Sequence, residues 1–286
     1  MKTFEQISDL RQDLAGLAGR GSEKSIGFVP TMGSLHEGHL ALIRQAASNH
    51  EVVVVSIFVN PLQFAPSEDF ESYPRDAERD KALAEKAGAT HLFVPPTEQM
   101  YPKGEAATRI EVGRIGEVCE GKYRPGHFSG VATVCVKLFN IVQPKSAYFG
   151  IKDAQQIAVI RQVVNDLNIP IEIVLRPTVR SASGLALSSR NQRLNKAQAS
   201  AATVLSKALF AAANLASKGE HSVRALVDHS KELIEAEPAV TLQYLEIVDP
   251  ATFEPQNEIT PGSLMVLAAQ VGPVRLIDNI ELVPKG

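Results

Sequence analysis

Residues 52–59 read Val-Val-Val-Val-Ser-Ile-Phe-Val, an apolar run that Ser56 alone interrupts. A strand that buries one face alternates apolar and polar side chains, whereas a strand covered on both faces is apolar nearly throughout. Strands of the second kind are typical of parallel sheets with helices packed on both sides. The run therefore predicts an α/β protein built on a parallel sheet.

Four other short apolar runs alternate with helical patterns and extend this prediction to five parallel strands. They cover residues 26–29, 91–94, 147–149 and 171–175. Such alternation is typical of a doubly wound, Rossmann-like sheet, in which ligands bind beyond the carboxyl ends of the strands. An amphipathic helix over residues 4–17 is predicted to precede the sheet, and a short strand over 109–112 is predicted outside it.

The last third of the chain, after Asn195, shows a different pattern. Helices predicted over 196–217 and 222–235 are followed by strands over 242–248, 264–269 and 274–278. Helices and strands that are segregated along the chain indicate an α+β arrangement with its own core. We therefore predict a Rossmann-like domain over residues 1–182 and a smaller α+β domain over residues 183–286.

Composition limits the classes of partner. The formal net charge of −3 at pH 7 gives no reason to expect nucleic acid, so an anionic ligand would need locally clustered cations. The unbroken apolar runs are too short to span a bilayer and the first residues are polar, which predicts a cytoplasmic protein with no membrane partner. Cys119 and Cys135 are too few for a disulfide scaffold and lack metal spacing, so we predict that both are reduced and structural.

The stretch over residues 25–44 combines a strand, a glycine-containing loop and a helix start. The strand is expected to stop at Pro30, and apolar residues at helical spacing indicate a helix that begins near Gly38. His36 and His39 flank that glycine. A helix N-terminus carries roughly half a positive charge and presents backbone N–H groups, so it binds phosphate readily. The stretch therefore predicts a phosphate site with two imidazole donors.

Two simpler interpretations of the histidine pair stay open on the residues alone. His36 and His39 are able to cap and pack the helix without any ligand, which is the commoner role of such residues. A zinc site would need a third or fourth ligand at suitable spacing, and the pair by itself supports a metal only weakly. Gly33 and Gly38 favour a ligand, because they let its atoms approach the backbone closely.

The ten residues Pro30-Thr-Met-Gly-Ser-Leu-His-Glu-Gly-His39 resemble the signature of the pantoate:β-alanine ligase family, within the nucleotidyltransferases that carry His-x-Gly-His. Four further blocks resemble the family pattern in the expected order: Asn60-Pro-Leu-Gln-Phe64, Arg124-Pro-Gly-His-Phe128, Phe149-Gly-Ile-Lys-Asp-Ala-Gln-Gln156 and Leu187-Ser-Ser-Arg-Asn191. The resemblance thus extends over nearly the whole chain.

The later blocks also have ordinary structural interpretations and some departures from the family pattern. Without the resemblance, they would be read as solvated loop or capping residues at Gln63, Arg124, His127 and Lys152, and as a Gly/Ser-rich linker over residues 176–190. The residues before Arg124 differ from the usual pattern. Ile151 stands where an acidic residue is common, and Arg190 replaces a lysine found in some relatives.

The resemblance implies a specific set of site residues. His39 would donate a proton, within a catalytic set that comprises His36, His39, Lys152 and Arg190. Gln63 would bind both pantoate and β-alanine, and Gln156 would bind pantoate. The ATP site would comprise Met32, Gly33, Ser34, Leu35, His36, Glu37, Gly38, His39, Gly150, Ile151, Lys152, Asp153, Val179, Leu187, Ser188, Ser189 and Arg190. Supporting roles would fall to Thr31, Asn60, Arg124 and His127.

The activity that the resemblance implies is ATP-dependent condensation of (R)-pantoate with β-alanine through a pantoyl adenylate, with release of AMP and diphosphate. Mg²⁺ would accompany ATP, and the family suggests a homodimer. An acidic position near Asp80 assists magnesium in the family, but Arg79 and Leu83 occupy neighbouring positions here, so the metal ligands stay unassigned. The loop around Ser188 and the C-terminal domain would shield the adenylate, which water would otherwise hydrolyse.

Two other functions are compatible with parts of the pattern. A nucleotidyltransferase that keeps AMP on a phosphorylated acceptor would share the histidine motif, but it has no reason to carry the block over 60–64 or the pair Gln155-Gln156. A non-catalytic ATP-binding sensor would keep the glycines, but it would not need both histidines together with Lys152 and Arg190.

Overall fold

The computed structural model of the protein describes residues 1–17, 25–64, 70–71, 73–104 and 108–284. The chain forms two compact units. The first comprises Met1–Gly116, Arg124–Ile151 and Val159–Pro177, and the second comprises Glu117–Tyr123, Lys152–Ala158 and Thr178–Gly286. The main division thus falls after Pro177, and two short segments that precede it, Glu117–Tyr123 and Lys152–Ala158, belong to the second unit. A domain boundary at 182/183 stays a prediction.

The elements up to residue 176 alternate between strand and helix. In chain order they are β1 (Lys2–Phe4), α1 (Ile7–Leu17), β2 (Ile26–Thr31), α2 (Glu37–Asn49), β3 (Val52–Ile57), α3 (Ala77–Lys86), β4 (His91–Phe93), α4 (Thr97–Met100), α5 (Glu120–Tyr123), α6 (His127–Val142), β5 (Ser146–Gly150), α7 (Ala154–Asp166) and β6 (Glu172–Arg176). Short 3₁₀ helices cover Pro61–Gln63, Gly113–Gly116 and Ile151–Asp153.

Within the described residues, β1 to β6 form one six-stranded parallel sheet in the order β1-β4-β3-β2-β5-β6. The prediction of a doubly wound α/β fold is confirmed. From β2 the chain builds the sheet outward through β3 and β4, and it then returns to add β5 and β6 on the other side. Ligands bind beyond the carboxyl ends of the strands at such a switch, and here those ends are Thr31 of β2 and Gly150 of β5.

Helices cover both faces of the sheet. On one face, Val29 of β2 packs in a cluster with Ile43 of α2 and Ala84 of α3. Successive residues of a strand point to opposite faces, so Phe28 belongs to the other face. There it packs edge-on against Phe139 of α6, with the ring centroids 6.4 Å apart. This two-sided burial explains why the central strands are apolar throughout.

The predicted first helix is confirmed over Ile7–Leu17, but its predicted start at residue 4 and the strand predicted over 109–112 are wrong. The first helix begins at Ile7, and Lys2–Phe4 forms the edge strand β1 instead, paired in parallel with β4. Three residues are too few to carry a recognisable period, so the pairing decides the conformation. Residues 109–112, which the structure describes, form no strand. The backbone N–H of Ile110 donates to the Thr133 hydroxyl at 3.0 Å.

Strand β2 runs through Pro30 to Thr31, so the expected stop at Pro30 is also wrong. A proline lacks the N–H that a central strand needs for its ladder. The carbonyl of Thr31 accepts from the N–H of Phe58, which follows β3, so the nitrogen of Pro30 faces the β5 side. The paired register of β2 with β5 ends at Phe28. At Pro30, β2 is therefore no longer paired with β5, and the absence of an N–H breaks no hydrogen bond of the sheet.

The second unit has helices followed by an antiparallel sheet, which confirms the predicted α+β arrangement. Its elements are α8 (Lys196–Ala201), α9 (Thr203–Ser217), α10 (Val223–Glu235), β7 (Val240–Val248), β8 (Leu264–Val271) and β9 (Val274–Glu281), with a 3₁₀ helix over Ser189–Arg193. In the described residues the sheet has three strands in the order β7-β8-β9. Leu209 of α9 and Leu226 of α10 are fully buried in one cluster with Leu267 of β8. The helix predicted over 196–217 is divided at Ala202.

One segment of the second unit, Lys196–Ser217, is long and apolar enough to cross a membrane by length and composition alone. Polar residues interrupt the segment, so it contains no long unbroken apolar run. Half of its most apolar 18-residue window is buried within the protein, and the core helix of a globular protein passes the same test. The segment is therefore weak evidence for a membrane span.

Both cysteines are buried and outside any disulfide, in agreement with the sequence-based prediction. Burial, together with the negative charge of Glu246, raises the pKa of Cys119 far above its usual range. Burial alone raises the pKa of Cys135 to about 12. Because the thiolate is the reactive form, both side chains are unreactive at neutral pH.

His50 follows α2 and is buried in the first unit. Its Nδ1 lies 2.7 Å from the Ser25 hydroxyl oxygen, and its Nε2 lies 2.9 Å from the hydroxyl oxygen of Tyr148. Burial, assisted by the positive charge of Lys145, lowers the pKa of His50 below its ordinary value. The folded protein therefore holds this ring in its neutral form.

We expect the free energy of unfolding to fall as the pH is lowered below about 6.5, the ordinary histidine pKa. The unfolded chain takes up a proton at His50 in that range while the folded protein does not, so stability is lost as the pH falls toward the lowered pKa of the folded state. His50→Gln does not titrate and should show a shallower decline. Urea unfolding of both proteins from about pH 8 to about pH 5 measures the two slopes, and equal slopes would contradict the assignment.

Candidate active site

The loop between β2 and α2 has a fixed, partly strained backbone. Gly33 has φ +81° and Ser34 has φ +52°, so two consecutive residues adopt the left-handed region, which only glycine enters easily. The Thr31 hydroxyl donates to the carbonyl of Ser56 at 2.7 Å and accepts from the N–H of Gly33 at 3.1 Å. The loop is thus attached to the carboxyl end of β3 as well as to its own strand.

His36 and His39 form a reciprocal cap at the start of α2. His36 is the N-cap residue, and its Nδ1 accepts from the N–H of Gly38 at 3.2 Å. Nδ1 of His39 accepts from the N–H of His36 at 3.3 Å, and the two ring centroids lie 4.1 Å apart. The prediction that the two histidines cap α2 is therefore confirmed.

These capping bonds also assign the hydrogens of the two rings. A ring nitrogen that accepts a hydrogen bond carries no proton, so each neutral imidazole carries its proton on Nε2. Each histidine is accordingly a donor through Nε2. Together with the N-terminus of α2, the pair supplies donors and partial positive charge, which suits phosphate oxygens.

Asn60 and Gln63 form a buried amide network after β3. Asn60 Nδ2 donates to Gln63 Oε1 at 3.0 Å and to the carbonyl of Gly130 at 3.1 Å. The buried Tyr101 hydroxyl donates to Asn60 Oδ1 at 2.8 Å, and Gln63 Nε2 lies 3.0 Å from Met32 Sδ. The network fixes which end of the Gln63 amide is the donor end and places it beside the loop after β2.

Tyr101 was not among the predicted site residues. Its burial raises the pKa of the hydroxyl far above its usual range, so the group is a donor at neutral pH. The sequence around it contains only turn signals, and the contact joins residues 41 positions apart. No local pattern could have identified it.

Arg124 and His127 both contact the backbone of Gln63. His127 Nδ1 lies 2.8 Å from the carbonyl oxygen of Gln63, and an Arg124 guanidinium nitrogen donates to the same oxygen at 3.3 Å. Another Arg124 nitrogen lies 3.1 Å from His127 Nε2. Since arginine only donates, His127 accepts at Nε2 and donates from Nδ1. In this arrangement His127 is neutral and the positive charge belongs to Arg124.

Gly130 lets α6 approach the turn that carries Gln63. A Cβ built on Gly130 would lie 2.3 Å from the carbonyl oxygen of Leu62 and 2.7 Å from the backbone nitrogen of Gln63. Real Cβ contacts do not reach such distances, and the atoms met here are backbone. A glycine in the middle of an apolar helix was the available sequence signal for this close packing.

The second unit holds the predicted residues Lys152, Asp153, Gln156, Val179 and 187–190. The carbonyl of Lys152 accepts from Asn279 Nδ2 at 2.8 Å, and Lys152 Nζ lies 3.6 Å from Asp153 Oδ1. Gln155, the neighbour of Gln156, makes two structural hydrogen bonds. Its Oε1 accepts from the N–H of Glu120 at 3.0 Å, and its Nε2 donates to the carbonyl of Val118 at 2.9 Å.

Residues 178–190 form a hydrogen-bonded turn rather than a free linker. The N–H of Leu187 donates to the carbonyl of Val179 at 2.9 Å, and the Ser188 hydroxyl accepts from the N–H of Arg190 at 3.3 Å. Arg180 binds Asp278 through two bonds of 2.6 and 2.9 Å. This ion pair, which the sequence analysis missed, joins residues 98 positions apart.

The predicted site residues therefore fall into two groups, each assembled within its own unit. The first unit brings together the loop over 31–39, Asn60, Gln63, Arg124 and His127, and it also contains Gly150 and Ile151. The second contains Lys152, Asp153, Gln156, Val179 and the segment over 187–190.

The described residues do not supply a resident metal cage. No group of three or more His, Cys, Asp or Glu side chains that would hold an ion occurs among them. Asp80, the acidic residue nearest a metal role in the sequence analysis, is buried and accepts backbone N–H groups with both oxygens. These residues therefore do not fit a protein-bound ion.

Comparison with known proteins identifies close relatives over the full chain. The family model described as pantoate-beta-alanine ligase matches residues 2–281. The pantothenate synthetase of Caldicellulosiruptor bescii is 48% identical over 285 residues, covering 100% of both chains. That of Gluconobacter oxydans is 49% identical over 282 residues, covering 99% of this chain and 100% of the relative.

Solved structures of similar sequence share the fold. The crystal structure of pantothenate synthetase from Thermus thermophilus has a TM-score of 0.93 and 46% identity, covering 99% of this chain and 100% of that chain. The pantoate-beta-alanine ligase from Francisella tularensis, complexed with beta-gamma ATP and beta-alanine, has a TM-score of 0.80 and 34% identity, covering 98% and 97%.

Proposed function

The chain belongs to the pantoate-beta-alanine ligase family, and from that premise we propose that it joins (R)-pantoate to β-alanine through a pantoyl adenylate, with release of AMP and diphosphate. It is an ATP-dependent ligase. The observation that best supports an adenylate route is the pair His36 and His39, capped through Nδ1 and donating through Nε2 at the N-terminus of α2. Such donors suit a phosphate chain.

The proposed reaction has two steps. A carboxylate is a poor acylating group, so an oxygen of the pantoate carboxylate attacks the α-phosphorus of ATP, and the bond to the bridging oxygen breaks as diphosphate leaves. The amine of β-alanine then attacks the carbonyl carbon of the adenylate. AMP leaves with the bonding electrons, and the amine loses a proton as the amide forms.

The first step brings two anions together, so its barrier falls chiefly through donors and cations aimed at the phosphates. We assign this role to His36, His39, Lys152 and Arg190, with hydroxyls from Ser188 and Ser189. His39 also serves as the proton donor, a role that its Nε2–H would permit. The remaining proposed ATP contacts are Met32, Gly33, Ser34, Leu35, Glu37, Gly38, Gly150, Ile151, Asp153, Val179 and Leu187.

We propose that Gln63 and Gln156 bind pantoate and that Gln63 also binds β-alanine. The support for Gln63 is its buried position, with its amide oriented by Asn60. Arg124 and His127 hold the Gln63 carbonyl, and this contact makes them supporting residues in the proposal. Thr31 supports the histidine loop in the same way.

We expect Gln63→Ala to raise KM for pantoate and for β-alanine while leaving the affinity for ATP nearly unchanged. Loss of one hydrogen bond from a buried polar site weakens binding by about 1–3 kcal/mol, roughly five- to hundredfold. Steady-state kinetics with each substrate varied in turn measures the change. Gln12→Ala, a substitution at an exposed position of α1 outside the proposed set, serves as a control. An equal loss of ATP affinity in Gln63→Ala would contradict its assigned role.

AMP release from ATP and pantoate, measured with and without β-alanine, tests the overall proposal. The ligase should form AMP in a sustained way only when β-alanine is present, in equal amount to pantothenate. A nucleotidyltransferase that retains AMP on a phosphorylated acceptor would release no AMP from these substrates, and it would release diphosphate only when its own acceptor is supplied. A non-catalytic ATP sensor would release neither. Either of the last two outcomes would overturn the proposed function.

Three further expectations belong to the same proposal. Mg²⁺ is proposed as the counter-ion of the ATP phosphates, which is its usual mode of binding beside nucleotides. The described residues contain no group of three or more His, Cys, Asp or Glu side chains that would hold the ion. The steps given above are therefore assigned to protein groups alone. A homodimer and a cytoplasmic location are also proposed, and sedimentation of the purified protein tests the first.

A further inference from the structure

Asp80, in the first turn of α3, has no role in the reaction described above, yet its carboxylate is almost fully buried, with 1% of the residue exposed. Its Oδ2 accepts from the N–H of Ser34 at 2.6 Å, and its Oδ1 accepts from the N–H of Leu35 at 2.7 Å. Hydrogen bonds to an ionised carboxylate are shorter and stronger than neutral ones. Asp80 is therefore strongly attached to the backbone immediately before the histidine pair.

The neighbouring residue adds a contact to the same loop. The Arg79 guanidinium donates to the carbonyl of Leu35 at 3.3 Å and lies 3.8 Å from Asp80 Oδ1. Two consecutive residues of α3 thus hold both backbone polar groups of Leu35. We call Arg79 and Asp80 the α3 clamp. The side chain of Leu35 is itself fully buried. Both the backbone and the side chain of the residue before His36 are therefore fixed by contacts.

The loop needs such a clamp because its backbone is strained. Ser34 keeps a positive φ although it has a side chain, and a conformation of this kind persists only where surrounding contacts impose it. The fit is close at Gly33 as well, where a Cβ would lie 3.0 Å from Asp80 Oδ2. The loop therefore wraps around the carboxylate, and relaxation would move His36, the N-cap residue of α2.

We infer that Asp80 is a positioning residue for catalysis, which acts by fixing the backbone that carries His36 and His39. The inference rests on the proposed function, since it takes the histidine pair as the phosphate-binding donors. It assigns no metal to Asp80, because both carboxylate oxygens are already bonded to backbone and almost none of the residue is exposed.

The test begins with Asp80→Asn in the full-length enzyme. The carboxamide keeps the shape but has one acceptor oxygen, so its NH₂ group would face a backbone N–H. A misplacement of about 1 Å costs roughly a hundredfold in rate, and we expect kcat to fall by about ten- to hundredfold with KM for β-alanine unchanged. Asp76→Asn is the matched control, because Asp76 caps the same helix through Arg79 N–H and should leave kcat unchanged.

A cycle against a variant that lacks both imidazoles, His36→Ala/His39→Ala, separates positioning from other effects. If Asp80 acts through the histidines, adding Asp80→Asn should make that variant no slower. If Asp80 acts elsewhere, the two losses should multiply, and that result would overturn the inference. The Mg²⁺ concentration for half-maximal rate should be the same in Asp80→Asn and wild type, and an increase would show that Asp80 is a metal ligand instead.

Arg79→Ala keeps the test decisive if Asp80→Asn fails to fold. The Arg79 side chain is 47% exposed, so its removal releases the Leu35 carbonyl while the Asp80 carboxylate keeps its two bonds from backbone N–H groups. We expect a smaller loss of kcat, of about threefold, that disappears in the His36→Ala/His39→Ala background. An unchanged kcat in Arg79→Ala, or a loss that persists in that background, would overturn the inference. A wild-type enzyme that makes no pantothenate would overturn the proposed function instead.

Discussion

His39→Ala should lower kcat/KM by about 30- to 1,000-fold while the protein remains folded. Removal of one donor that stabilises transition-state charge costs ~2–4 kcal/mol, and each 1.36 kcal/mol is a factor of ten in rate. The Nε2–H of His39 is such a donor in the proposed site. Steady-state formation of pantothenate with all three substrates gives kcat/KM, and single-turnover release of diphosphate from saturating pantoate and ATP reports the loss in the first step.

The same substitution removes the Nδ1 acceptor for the N–H of His36, so a loss of stability has to be measured alongside. Loss of a helix-capping bond typically costs about 0.5–2 kcal/mol, which thermal unfolding would detect. His39→Gln is the matched variant, because its amide has both an acceptor for that N–H and a donor for the nucleotide. It should retain more activity than His39→Ala. Near-normal turnover by His39→Ala would exclude His39 from the mechanism.

Gly130→Ala is expected to impair both stability and substrate binding. The new methyl group would meet the backbone of Leu62 and Gln63, and overpacking of this kind costs typically ~1–3 kcal/mol. Either α6 or the turn over Pro61–Gln63 has to move, and the second movement displaces the Gln63 amide. We expect a lower melting temperature and an increase in KM for pantoate and β-alanine, with ATP binding nearly unchanged.

Gly16→Ala provides the control for Gly130→Ala. Gly16 also lies in a helix, α1, but a Cβ there would meet no atom within 4 Å. Alanine is favoured over glycine in a helix by about 1 kcal/mol, so this variant should be slightly more stable with unchanged kinetics. If Gly130→Ala showed the melting temperature and KM values of the wild type, the close approach of α6 would have no functional importance.

Periodicity predicted the parts of the fold that rest on local burial. The four inner strands, β2 to β5, were identifiable because both faces of the sheet are covered there, which makes runs such as 52–59 nearly apolar throughout. The edge strand Lys2–Phe4 was missed because its conformation depends on pairing with β4, which is distant in sequence. The end of β2 was misplaced because a strand continues through a proline only where the proline nitrogen faces no paired strand, and the sequence does not show which side it faces.

The motifs predicted the candidate site residues, but they did not predict the distant residues that hold those motifs in place. The strand, loop and helix pattern predicted the two imidazole donors, and the capping bonds then showed that each ring accepts through Nδ1 and is a donor through Nε2. Asp80 reads as one of several charges on a solvated helix, although the structure buries it against a backbone 46 positions away. The pair of Glu120 with Arg275, 155 positions apart, was equally invisible. Sequence patterns report neighbours along the chain, whereas such contacts depend on the complete fold.

The burial of both cysteines has a practical consequence for following this enzyme during turnover. The sequence contains only Cys119 and Cys135, and each thiol stays protonated at neutral pH. A maleimide dye should therefore ignore the native chain and label a cysteine introduced at an exposed surface position. Fluorescence reporters can thus be attached without first constructing a cysteine-free background, so labelled and unlabelled molecules would differ by one surface substitution and the dye.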